Sequence, residues 1–181
     1  MNRRDFLKLG AASSAALTAT ALTASLTGCS ESLPVNSDWL ILREQDRIML
    51  AAIAPVMLKG SLPTDPLAKQ QGIDTMLKYM DVGISKLGPH NSKQISDLFT
   101  LLNFGLSRGL TTGVWSKWEN ASEAEIENFL NRWRESSVGL FTLGYNGLNK
   151  LMCATWFGQS GAWQNVGYAG PLYPDVLITK S

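Results

Sequence analysis

Between residues 43 and 157 the apolar side chains of this chain recur three and four positions apart, and that spacing restricts the fold more than any motif does. From 43 to 58 they fall at Ile48, Met49, Ala52, Ile53, Val56 and Met57, one face of a helix. Pro55 predicts a kink or an early end there, and Gly60 and Pro63 close the segment. Asp65-Pro66 announces a second helix, a capping residue followed by proline at the first helical position. Its stripe is Leu67, Ile73, Leu77, Met80, Ile84 and Leu87, and Gly88-Pro89 stops it. Asn91-Ser92 reads as the cap of a third helix carrying Ile95, Leu98, Phe99, Leu102, Phe104 and Leu106, ended by Gly109. Residues 109 to 120 read as a loop. Ser122-Glu123-Ala124-Glu125 reads as a capping box, with Ile126, Phe129, Leu130 and Trp133 behind it. A fifth helix is expected over 138–157, although Gly139, Gly144 and Gly147 weaken it unless they admit a closely packed neighbour. Strand signals are weak and no internal repeat is visible. The expected fold is all-α: a bundle of about five helices over 43–158, followed by an extended arm over 159–181 rich in Gly, Pro and aromatic residues.

The first 28 residues read as an address. Arg3-Arg4-Asp5-Phe6-Leu7-Lys8 is followed by twenty uncharged residues, 9–28, that end in Leu26-Thr27-Gly28 just before Cys29. A basic start, an apolar middle and a small-residue end make a cleavable secretory signal. Arg3, Arg4, Phe6, Leu7 and Lys8 are similar to the twin-arginine signature of the Tat pathway, a receptor-read address. Thr and Ser dilute the apolar middle, which suits that pathway better than a plain transmembrane helix, the alternative reading. Leu-Thr-Gly-Cys resembles a bacterial lipobox, with the Cys29 thiol as the group that takes the lipid. Residues 29–42 then form a tether, and the expected location is periplasmic, on a lipid anchor in the membrane.

Charge and side-chain inventory exclude several functions. A net charge of +1 gives no footprint for nucleic acid. One His and two Cys cannot build a zinc site from N and S ligands, so no metal is expected. There is no Gly-x-Gly-x-x-Gly and no phosphate-cradling loop. His90 reads as a solvated residue in a helix-entry loop, Cys153 as a buried inert thiol, and Glu123, Glu125 and Glu127 as a capped helix start. No catalytic residue is assigned, and no cofactor is expected within this chain.

The aromatic residues of the irregular segments are the functional candidates. Trp115 and Trp118 share one loop, and Trp156 and Trp163 flank another. Tryptophan and tyrosine bury much area at low entropy cost, so they serve equally as core and as interface anchors. For Trp115, Trp118 and Trp156 both readings stand. For Trp163, Tyr168, Pro171 and Tyr173 in the arm, an interface is preferred.

Thr155-Trp156-Phe157, followed by Ala162-Trp163-Gln164-Asn165-Val166-Gly167-Tyr168-Ala169-Gly170-Pro171, resembles the C-terminal end of the gluconate 2-dehydrogenase subunit 3-like family. Only the leader and this tail carry the resemblance in motifs; the middle matches in helical character. The chain departs from it at Ala169, where proline is expected, and in having a lipobox at Cys29. The resemblance implies a helical small subunit that accompanies a large flavin-dependent dehydrogenase of the glucose–methanol–choline (GMC) class through the Tat translocase. FAD and the catalytic base would lie in that partner, and a cytochrome could accept its electrons. The competing reading is a free-standing exported lipoprotein that binds a small ligand or another envelope protein.

Overall fold

A computed structural model describes residues 39–163 and 167–169. Arg3, Arg4, Phe6, Leu7, Lys8, Cys29, Pro171 and Tyr173 lie outside the described residues. Within them the chain is all-α: α1 (Glu44–Met57), α2 (Pro66–Ser85), α3 (Pro89–Asn103), α4 (Gly105–Thr112), α5 (Glu123–Arg134), α6 (Gly139–Phe157) and the single turn α7 (Ser160–Trp163), with a 3₁₀ turn at Trp118–Asn120 before α5. No helix among the described residues is long and apolar enough to cross a membrane.

The first helix is the hub. Met49, Leu50, Ile53 and Ala54 are wholly buried, and α1 packs against α2, α3, α5, α6 and the 3₁₀ turn. Met76, Met80 and Ile84 of α2, Phe99 and Leu102 of α3, Phe129 and Trp133 of α5, and Leu148 and Met152 of α6 close the same core. Pro55 does not stop α1, which continues two residues past it to Met57.

Two buried carboxylates fasten the entry of the chain. Asp81 on α2 accepts the backbone N–H of Leu40 at 2.6 Å, of Ile41 at 2.8 Å and of Leu42 at 2.7 Å. Asp46 in the first turn of α1 takes the Arg43 guanidinium, Nε at 2.9 Å and Nη2 at 3.0 Å, and the Asn103 side-chain amide at 2.8 Å. Arg43 also donates to Thr100 Oγ1. The chain therefore enters the fold beside the C-terminal end of α3.

The third expected helix is two helices. It breaks at Phe104, and the freed carbonyls at the end of α3 find new donors: Ser107 Oγ on Leu101 and Trp118 Nε1 on Leu102. The start differs as well. Gly88 is the N-cap and Pro89 the first helical residue, so His90, Asn91 and Ser92 lie in the first turn of α3 and not before it. Gly109 does not end the helix. It lies inside α4, where its missing side chain admits the Trp115 ring, and the end falls to Gly113 in the left-handed conformation, φ +75°. At Ser160–Trp163 the arm is helical, where an extended course was expected.

The capping box at α5 forms as its sequence predicts. Ser122 Oγ accepts the Glu125 N–H, and Glu125 Oε2 accepts from the Ser122 N–H at 2.9 Å and its hydroxyl at 2.8 Å. These bonds favour the charged carboxylate and lower the Glu125 pKa. The contribution is present above the carboxylate's ordinary pKa and is lost as pH falls through the lowered one. Replacing Ser122 with alanine removes the hydroxyl but keeps the backbone N–H, the larger cause, so it is expected to raise the Glu125 titration midpoint only part of the way toward the ordinary carboxylate range. An NMR pH titration reads it, and an unchanged midpoint would refute the assignment.

Candidate interaction surface

The six tryptophans divide sharply. Trp118 is buried, donates to the Leu102 carbonyl at 3.1 Å and tilts against Phe129 at 6.1 Å. Trp133 donates to the Thr111 carbonyl at 2.9 Å, meets Phe129 edge-on at 4.9 Å and stacks on Phe141 at 5.3 Å. Trp156 is buried with its ring against Gly72 of α2, and its indole N–H has no partner. An unmet buried donor costs about 1–3 kcal/mol, so the fit of the ring holds it there. Trp39 carries the Arg47 guanidinium 4.5 Å above its ring centroid. Trp118 and Trp156, two of the interface candidates, therefore fill the core of this chain, and the surface belongs to others.

Trp115 is 63% exposed and lies on Gly109 of α4. Trp163 is half-buried at the end of α6, where its N–H donates to the Phe157 carbonyl at 2.7 Å and its ring meets Tyr168 edge-on at 5.3 Å. The Tyr168 N–H returns to the Trp163 carbonyl at 2.9 Å. These bonds hold α7 and Tyr168 back against the last turn of α6.

The surface feature that sequence reading missed runs along α6. Leu140, Leu143, Gly147, Lys150, Ala154 and Phe157 are all exposed and stand three and four residues apart. They form one stripe roughly 25 Å long with a single charge in it. The inner side of the same helix is occupied by Gly144, Leu148, Met152 and Trp156. Helix α6 is thus apolar on both faces, which is how its sequence conceals the outer one: the uniform hydrophobicity reads as a buried helix. Beside the stripe, Ile95, Leu98 and Phe99 of α3 and Gly147, Leu148, Lys150, Leu151 and Ala154 of α6 line an open groove of about 320 Å³.

The glycines of α6 act differently. A Cβ at Gly144 would overlap the Trp133 ring, whereas a Cβ at Gly147 meets nothing within 4 Å. Gly144→Ala is therefore expected to cost about 1–3 kcal/mol by overpacking. Gly147→Glu is expected to leave stability unchanged or raise it by about 0.5–1 kcal/mol. The glutamate would also place a charge in the groove, lowering affinity for any apolar partner there at least about tenfold, or ~1.4 kcal/mol. Urea denaturation and a partner titration separate the two effects.

The titratable groups offer little chemistry. His90 is exposed, with a ring nitrogen 2.9 Å from the Gln94 amide. Burial raises the Cys153 pKa, and its thiol sits 3.5 Å from Asn149 Oδ1. It is held as a protonated thiol at neutral pH. A second cleft of about 200 Å³, at the end of α1, is lined by Lys59, Lys69, Glu123 and Glu127 among others and contains no histidine or cysteine. Among the described residues no group of three or more His, Cys, Asp and Glu could hold a metal ion. Comparison with protein-family models, curated proteins and solved structures returned no match.

Proposed function

We propose that this chain is the non-catalytic small subunit of an exported, membrane-associated, flavin-dependent dehydrogenase of the GMC class. It carries its large partner through the Tat translocase, anchors it through Cys29 in the periplasm and stabilises it there. FAD and the catalytic base belong to the partner, and electrons pass from the flavin to a separate acceptor such as a cytochrome.

The exposed apolar stripe of α6 carries the reading. A face about 25 Å long that is nearly uncharged is costly in water and suits a permanent protein contact. The Trp163–Tyr168 pair continues it at the C-terminal end. The leader adds a second support. A twin-arginine signal suits cargo folded before export, and a flavoprotein that must take up FAD in the cytoplasm is such cargo. The tail resemblance to subunit 3-like proteins points the same way.

An affinity-tagged chain purified from the envelope tests the proposal. A stoichiometric large protein with flavin absorbance is the expected result, and Gly147→Glu should release it. Recovery of a monodisperse monomer with no flavin, from cells that express the neighbouring genes, would overturn the proposal in favour of a free-standing lipoprotein.

A further inference from the structure

A second apolar surface lies on α4, apart from the α6 stripe. Leu106 and Leu110 stand one helical turn apart and are 60% and 69% exposed. Between them Gly109 takes the flat of the Trp115 ring, so the indole lies on the same face. Phe104, at the start of the helix, is exposed too. Arg132 borders this surface, where its guanidinium, bonded to the Thr111 carbonyl, covers Gly113. Leucine, phenylalanine and an exposed tryptophan with a basic neighbour are the side chains of a membrane–water boundary.

The entry point of the chain decides which occupant fits. Arg43 bonds to Thr100, and Asp46 to Asn103, the residue immediately before Phe104. The tether thus joins the fold next to α4. Trp39 lies ten positions after Cys29, a reach of at most roughly 35 Å, about the width of a small domain. An anchor on a lead of that length, attached beside the start of α4, lets that end of the bundle reach the lipid surface.

We infer that the α4 face formed by Leu106, Leu110 and Trp115 is a membrane seat, resting on the headgroup–acyl boundary of the bilayer that holds Cys29. This inference rests on the reading of Cys29 as lipidated, and it assigns Trp115 to lipid and not to the partner subunit. The seat fixes the orientation of the bundle and leaves the α6 stripe for the partner.

The test uses the mature lipoprotein purified from membranes, with Cys153→Ser so that a single introduced thiol can be labelled. An environment-sensitive fluorophore is placed at Leu110→Cys and, as a control, at Leu67→Cys; Leu67 is 67% exposed at the far end of α2 from Asp81. The protein is reconstituted into phosphatidylethanolamine vesicles containing a minority of phosphatidylglycerol. The Leu110 label is expected to brighten at least about twofold and to be quenched by lipid-borne nitroxide, while the Leu67 label stays unchanged. A silent Leu110 label on protein whose Cys29 carries lipid by mass spectrometry overturns the seat alone. Equal responses at both positions overturn it as well, since they mean adsorption without orientation. A Leu110 response to added flavoprotein, or to protein concentration without vesicles, would mark a protein interface instead. An unmodified Cys29 overturns the anchor and the seat together.

Discussion

Asp81→Ala is expected to lower the stability of the fold by about 3–5 kcal/mol, a large share of the 5–15 kcal/mol that holds a domain of this size. The carboxylate is 2% exposed and accepts three consecutive backbone N–H groups. A hydrogen bond to a charged acceptor contributes about 1.5–3 kcal/mol. Leu40 is exposed, so its N–H can turn to water, but Leu42 is buried and its N–H loses its partner outright. The loss should be local before it is global. Hydrogen exchange is expected to rise first at Leu40, Ile41 and Leu42, while Ile53 and Met80 stay protected. Asp81→Asn should lie between wild type and alanine, since an amide offers one oxygen and turns an N–H₂ toward the remaining donors. A urea midpoint within 1 kcal/mol of wild type for Asp81→Ala would show that the entry segment is held by other contacts.

The consequence reaches beyond stability. Residues 39–43 are where any pull from an anchored leader enters the bundle, and Asp81 and Asp46 hold that segment to α2, α1 and α3. Two aspartates buried this close to the start of the fold make the attachment part of the folded core. On the proposed function, a chain folded before export gains from this arrangement, because residues 40–42 are fixed only once α2 is in place.

Where local chemistry decides an element, the sequence announces it. Asp65-Pro66 opens α2 at Pro66, and the Ser122–Glu125 pair caps α5 as its spacing predicts. Where distant residues decide, it does not. The run Leu98, Phe99, Leu102, Leu106 keeps helical spacing across Phe104, and the break is made good by Trp118 and Ser107, donors from beyond the helix. Gly109 looks like a stop until Trp115 arrives to occupy it. Asp81 could have been noticed, since it interrupts the apolar stripe between Leu77 and Ile84, and a carboxylate on a buried face must find donors. Asp46 could not, because an acidic residue in a first turn is ordinary on a solvated helix. Among the candidate site residues, exposure separated Trp115 and Tyr168 from Trp118 and Trp156, and composition cannot make that division because an indole serves both ends.

On the proposed function, changing Arg3 and Arg4 together to lysine is expected to abolish export of this chain and, with it, of the proposed flavoprotein partner. Lysine keeps both positive charges but loses the planar guanidinium fork, so a receptor that reads the fork by bidentate hydrogen bonds rejects it while a merely electrostatic step does not. The expected result is loss of both proteins from the periplasmic and membrane fractions, with the partner accumulating in the cytoplasm fully loaded with FAD. Flavin content matters here, because an empty partner would mean that the variant had disturbed assembly and not transport. Cys29→Ser supplies the contrast: the complex should still cross the membrane, and then be released in soluble form, since one lost anchor removes retention without touching the address. Gly147→Glu completes the set by breaking the contact itself, so that this chain is exported alone and the partner stays behind. If the partner continues to reach the periplasm when Arg3 and Arg4 are both lysine, it carries its own route out and the α6 stripe serves some other molecule.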